Sequence, residues 1–150
     1  MNAPVVVTLT HLKDYQFENT FDPALPTWLT DEPEPLGAGL GPSPVQLLSS
    51  AVGNCLSASL LFAFRKFKLE ATFLQCRVQA LVGRNASAKL RVLSLEVEIE
   101  IHPEAVDSSQ LSRILEQFEG FCTVTQSVRS SVPVHLVVKD SQSMVLHESH

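Results

Sequence analysis

The sequence predicts a mixed fold of strands and helices, organised as one domain over residues 1–150. Three observations carry that reading. Residues 45–64 (VQLLSSAVGNCLSASLLFAF) run without a charge over the length of a long helix; Leu93, Leu95, Val97, Ile99 and Ile101 alternate with Ser94, Glu96, Glu98 and Glu100; and residues 107–119 (DSSQLSRILEQFE) space their apolar residues as an amphipathic helix does. At 150 residues the chain can bury a hydrophobic core without disulfide staples.

In chain order, VVVTLT and YQFENTF, with a polar break around His11 to Asp14, form a hairpin, because β-branched and aromatic side chains suit a pleated surface. Residues 22–43 (DPALPTWLTDEPEPLGAGLGPS) hold too much Pro and Gly for regular structure over most of their length. A loop of that size is expected to be functional or to lie across another surface.

A helix then begins at Pro44, capped by Ser43, and continues to about Lys68. Its apolar residues form no single stripe. Val45, Leu48, Val52, Cys55 and Phe62 share one face, Leu47, Ala51, Ala58 and Leu61 lie beside it, and Leu60, Phe64 and Phe67 lie elsewhere. A helix apolar on most sides has to be covered on most sides, and one sheet covers only one of them. A second subunit is the economical cover, and Ser49, Ser50, Gly53, Ser57 and Ala58 permit close approach of another helix. The run has the length of a membrane span, but Gln46, Asn54 and four serines interrupt it and Arg65, Lys66 and Lys68 follow at once, so a buried helix is expected instead.

ATFLQCRVQALVG and KLRVLSLEVEIEI, joined by the turn-like GRNASA, form an antiparallel hairpin. Leu74, Cys76, Val78, Ala80 and Val82 share one face of its first strand, which makes Cys76 a core cysteine. The helix of residues 107–119 turns Leu111, Ile114, Leu115 and Phe118 inward and stops at Gly120. Thr123 and Gln126 read as a capping box that starts a short helix just after Cys122. VPVHLVVK (residues 132–139) is a further strand, and the closing DSQSMVLHESH either adds an edge strand or frays.

Composition narrows the function classes. Hydrophobic residues make up 45% of the chain and charged ones 18%, a slightly dry surface that hints at a partner subunit. The formal net charge of -5 argues against nucleic acid, whose phosphates are held largely by Lys and Arg. Three cysteines, widely spaced, do not suggest a secreted disulfide scaffold, and MNAPVVVTLTHLKDY lacks the form of a signal peptide, so a cytoplasmic protein is expected. There is no phosphate-cradling glycine loop, no C-x-x-C and no dinucleotide fingerprint. His147 and His150 form an H-x-x-H without a third ligand nearby in sequence, and His135 sits in an apolar strand, so all three read as surface or packing histidines.

Two cysteines hold the chemical interest. Cys122 precedes a helix start, where free amides favour a thiolate, although a buried thiol filling a gap beside Phe121 fits the placement too. Cys55 has Ala51, Val52, Ala58 and Ser59 as helical neighbours, none able to stabilise a negative sulfur, so its local sequence describes an inert thiol unless the fold brings in a partner.

The run GPSPVQLLSSAVGNCL, followed by a helix, a hairpin, FCTVTQSV and PVHLVV, with DEPEPLGAGLGPSP leading in, resembles the OsmC/Ohr family of osmotically inducible and organic-hydroperoxide-resistance proteins over nearly the whole chain. The resemblance implies an OsmC-like α+β fold: antiparallel sheets packed around a long central cysteine-bearing helix, in an intertwined homodimer. It further implies a thiol peroxidase of oxidative-stress defence in which Cys55 attacks an organic hydroperoxide, Cys122 resolves the product as a disulfide, and an external dithiol reduces that disulfide, with no metal or organic cofactor. The family's hydroperoxide reductases use an N-terminal arginine and a glutamate near the helix start. Here the first arginine is Arg65, only Lys13 precedes it as a cation of that kind, and Val45 stands where the glutamate is read. Lys13, His11, Glu32 and Arg129 are the substitutes on offer. The alternative implied by those departures is an OsmC-like protein without catalysis that binds a small apolar ligand in the dimer crevice.

Overall fold

The computed structural model describes residues 3–103 and 107–150, which divide into two compact units, Met1–Leu47 and Leu48–His150. The first holds a three-stranded antiparallel sheet in the order β1-β2-β3, built from β1 (Thr8–Lys13), β2 (Gln16–Thr20) and β3 (Trp28–Thr30). The β1–β2 hairpin forms as expected, but β1 continues through His11–Lys13, which the sequence assigned to the break; Asp14 in the shorter turn takes a positive φ of 46°, which a short polar side chain tolerates. β3 lies inside the segment expected to be irregular. Trp-Leu-Thr is strand-prone despite the surrounding prolines, and the buried Asn19 of β2 fastens it by donating to the Trp28 carbonyl (3.3 Å) and to Thr30 Oγ1 (2.9 Å).

The rest of that loop is organised by Asp31, a residue the sequence did not single out. Its carboxylate accepts from the backbone amides of Glu32 (2.8 Å), Ala38 (3.2 Å) and Leu40 (3.2 Å) and from the Gln16 side chain (3.4 Å). Burial pushes the Asp31 pKa up, but the amides of Leu40, Glu32 and Ala38 and the Gln16 amide outweigh it and hold the group below its ordinary value. Gly37 lets the chain close on this carboxylate, since a Cβ there would collide with the Glu32 carbonyl.

α1 (Pro44–Lys66) starts as expected, and it is here that a reciprocal capping box forms. Ser43 N donates to Gln46 Oε1 at 2.8 Å and Gln46 N to Ser43 Oγ at 3.4 Å. By length and composition α1 could cross a membrane; its inner residues Val52, Leu56, Leu60, Ala63 and Phe64 belong to the hydrophobic core, as those of a soluble core helix do.

The second unit contains a four-stranded sheet in the order β4-β5-β6-β7, from β4 (Ala71–Arg84), β5 (Leu90–Pro103), β6 (Val134–Lys139) and β7 (Val145–Ser149). β4 and β5 pair antiparallel, with Cys76 opposite Ile99 and Val78 opposite Val97. β6 then pairs parallel to β5, and β7 antiparallel to β6. The expectation of purely antiparallel sheets is therefore corrected to one antiparallel and one mixed sheet. The parallel step has the physical cause such steps usually have, a helical crossover: α2 (Ser108–Gln117), a 3-10 turn (Phe118–Phe121) and α3 (Thr123–Arg129) lie between β5 and β6.

Leu95, Val97, Ile99 and Ile101 of β5, with Val134, Leu136 and Val138 of β6, meet the inner face of α1 and Ile114, Leu115 and Phe118 in one core. Gly53 marks a close approach of α1 to β4, because a Cβ there would lie 2.9 Å from Val78 Cγ2 and 3.3 Å from Cys76 Sγ. The opposite face of α1, with Ala51, Ala58 and Phe62, is exposed in the single chain. Gly120 does not stop α2 in a left-handed cap as expected; the helix instead tightens into the 3-10 turn that contains it.

Candidate active site

Cys55 lies on α1 and Cys122 at the junction between the 3-10 turn and α3, and the fold brings the two thiols near enough for each to shift the titration of the other. Both are free thiols, Cys122 fully buried and Cys55 partly so. Cys122 is itself the N-cap residue of α3, in extended conformation, and contributes no side-chain cap. The expected Thr123–Gln126 box does not form. Thr123 is already helical, and Gln126 Nε2 donates to the Glu119 carbonyl at 3.0 Å.

With no cap, the amides at the start of α3 need acceptors from elsewhere. Those of Val124 and Thr125 lower the pKa of Cys55, and that of Thr125 pulls on Cys122 in the same sense. Ser59, one turn further along α1, adds a hydroxyl. Burial pushes the Cys55 thiol up, but the Cys122 thiol, the two amides and the Ser59 hydroxyl together outweigh it, and the pKa lies below the ordinary thiol value. Cys122 goes the other way. Burial and then the adjacent Cys55 sulfur push its pKa up, against the opposing pull of Thr125, whose hydroxyl oxygen lies 2.9 Å from the Cys122 sulfur. Local sequence gave the helix-start amides to Cys122 and found no support for Cys55; in the structure they act on Cys55 as well, and of the two thiols it is Cys55 whose pKa falls.

Cys55 opens on a cavity of about 390 Å³ whose other lining residues are Ala58, Ser59, Phe62, Phe121 and Thr123. No charged side chain is among these six. Phe62 and Phe121 meet edge to face at 5.4 Å, and Lys66 Nζ sits over the outer ring, 5.3 Å from the Phe121 centroid. A volume in this range suits a small, largely apolar molecule.

Several of the other candidates have partners of their own. Arg129 donates to Glu119 Oε2 at 2.9 Å and to the Val134 carbonyl at 3.2 Å. His11 in β1 contacts the Asp14 carbonyl at 3.0 Å, and the loop carboxylate with a structural task is Asp31 rather than Glu32. The H-x-x-H pair diverges: His147 Nε2 bonds Glu119 Oε1 at 2.8 Å, whereas His150 Nδ1 lies 3.3 Å from His135 Nδ1. Cys76 faces α1, where burial raises its pKa against a contact from Ser57, in keeping with an inert core thiol.

Over residues 37–137 the sequence matches the family model of OsmC-like proteins. The chain belongs to the OsmC-like family. Solved structures agree at the level of the fold. An OsmC-like protein of unknown function from Vibrio cholerae superposes with a TM-score of 0.78 at 14% identity, covering 91% of this chain and 99% of that one. An organic hydroperoxide resistance protein from Elizabethkingia anophelis, with crystallant-derived thiocyanate bound, gives 0.73 at 15% identity over 94% and 100% of the two chains. The organic hydroperoxide resistance protein OhrB of Bacillus subtilis gives 0.67 at 17% identity over 89% and 98%. No curated protein matches the sequence. The α+β arrangement of two sheets and three α-helices among the described residues is thus that of OsmC-like proteins.

Proposed function

We propose that this OsmC-like protein is a cysteine-based thiol peroxidase that reduces organic hydroperoxides. The observation that carries the reading is the Cys55 sulfur at the wall of an uncharged cavity, its pKa lowered by the Cys122 thiol and two backbone amides. In the first step the Cys55 thiolate attacks the terminal peroxide oxygen of ROOH. The O–O bond breaks, the alkoxide takes a proton and leaves as ROH, and Cys55 becomes a sulfenic acid. Cys122, the neighbouring thiol, then attacks that sulfur. Water leaves, a Cys55–Cys122 disulfide forms, and an external dithiol returns both thiols by exchange.

The surrounding picture follows the same reading. The chain works as a single OsmC-like domain in the cytoplasm and forms an intertwined homodimer that covers the exposed face of α1, where Ala51, Ala58 and Phe62 lie. Single-turnover reaction of the reduced protein with cumene hydroperoxide tests it. One equivalent of cumyl alcohol should appear with loss of two thiols, and peptide mapping should find Cys55 joined to Cys122. Absence of alcohol with both thiols intact overturns the proposal.

A second reading draws on the cavity alone. Its uncharged lining would also hold a small apolar ligand without chemistry, and a molecule retained through purification, together with no peroxide turnover, would favour it.

A further inference from the structure

Seven residues are too few to hold α3 as a helix by its own hydrogen bonds, yet its first residue, Thr123, lines one cavity with Cys55, and the amides that follow have to keep their place beside that sulfur. The contacts that fix this helix converge on Glu119. Its backbone carbonyl accepts from Cys122 N (3.1 Å) and from Gln126 Nε2 (3.0 Å), at the start and middle of α3. Its carboxylate accepts from Arg129 Nη1 (2.9 Å), the last residue of α3, and from His147 Nε2 (2.8 Å) on β7. Arg129 also reaches the Val134 carbonyl at 3.2 Å and Ser149 Oγ at 3.5 Å, on β6 and β7.

The Glu119–Arg129 pair is not a loose surface bridge, since the two side chains retain 12% and 22% of their exposure. Arg129 Nε is buried without a partner among the described residues. A guanidinium held at that cost stays because its other nitrogens are fixed. One carboxylate therefore ties the turn before Cys122 and the far end of α3 to the sheet.

We propose that Glu119, Arg129 and His147 form a positioning unit that holds the Val124 and Thr125 amides against the Cys55 sulfur. They act through α3 and touch neither thiol. The inference rests on the reading of Cys55 as the reacting thiolate, but its test needs no peroxide.

The experiment is the pH profile of Cys55 alkylation by monobromobimane, followed by mass spectrometry of the Cys55 peptide in the full chain. Glu119→Gln, Arg129→Met, Arg129→Lys and His147→Ala are compared, each with its Tm. Glu119→Gln and Arg129→Met should move the Cys55 profile to higher pH and slow alkylation near neutrality by about three- to tenfold, which corresponds to roughly half to one pKa unit. Arg129→Lys, which keeps the charge, should recover part of the loss. His147→Ala should give a smaller shift of the same sign, and it decides the matter if the other variants do not fold. A lowered Tm with an unmoved Cys55 profile overturns the proposal, because a merely structural role predicts that result. A shifted profile in a protein that fails to reduce hydroperoxide supports the positioning unit and counts against the peroxidase reading alone.

Discussion

Replacing Cys122 by Ala should raise the pKa of Cys55, whereas between two unrelated thiols the change would leave it where it was. In the structure the Cys122 thiol is the foremost of the groups that lower the Cys55 pKa, ahead of the Val124 and Thr125 amides and Ser59. Hydrogen bonds to charged groups contribute about 1.5–3 kcal/mol, and a thiol is a weak donor, so the low end applies. A loss of about 1.4 kcal/mol is about one pKa unit and a tenfold smaller thiolate fraction at neutral pH. The assay is titration of thiolate ultraviolet absorbance in a Cys76→Ser background, so that the third thiol is silent. With Cys122 present the pair titrates jointly, whereas in Cys122→Ala a single transition belongs to Cys55. Cys122→Ser, which keeps a donor, should return most of the shift. A Cys55 transition in Cys122→Ala at or below that of Cys122→Ser would refute the hydrogen-bonded assignment.

Gly53→Val should destabilise the protein by about 1–3 kcal/mol, the usual cost of overpacking, because its Cβ would press on Val78 and Cys76 at the α1–β4 crossing; a denaturant midpoint equal to or above the parent's would contradict that packing. Burial pushes Glu119 up, but His147, Ser149 and Arg129 bring its folded pKa below the usual 4.5. Its carboxylate therefore adds stability that is fully present above about pH 4.5 and is lost as pH falls through the folded value. Glu119→Gln should accordingly lose stability near neutrality and show a flatter decline below that pH, measured as Tm against pH, and an unchanged acid slope would speak against a charged Glu119 in the folded state.

Much of the fold was legible in residue order. Ser43 and Pro44 marked the start of α1, and the alternation in β5 gave both its existence and its buried face, later seen in Leu95, Val97, Ile99 and Ile101. β3 was hidden because three strand-prone residues among prolines carry too short a pattern to outweigh their neighbours, and its anchor, Asn19, lies nine residues from Trp28. The parallel placement of β6 was hidden for a related reason: VPVHLVVK looks the same whichever way its neighbour runs. The pairing of Cys55 with Cys122 entered only through the family resemblance. Assigning the helix-start amides to Cys122 alone missed Cys55 for a geometric reason. Free amides at a helix mouth point along the axis, toward whatever lies beyond the end, and the residue at the cap is not necessarily what lies there.

The groups that support Cys55 are neutral: a thiol, two amides and a hydroxyl. A guanidinium acts over several ångströms through its full charge, and its effect is weakened by added salt. Neutral donors act only in contact, so their effect depends on placement and barely on ionic strength. This makes the manner of activation measurable without any substrate. Alkylation of Cys55 by a neutral reagent at fixed pH should change by less than about twofold between low and high salt, because screening has little hold on short, partly buried hydrogen bonds. A fall of tenfold would mean that a cation, such as the Lys66 ammonium above Phe121, carries the thiolate instead. The same reasoning explains why a seven-residue helix is tied at both ends to one carboxylate: where stabilisation vanishes over a fraction of an ångström, the donors have to be fixed in advance.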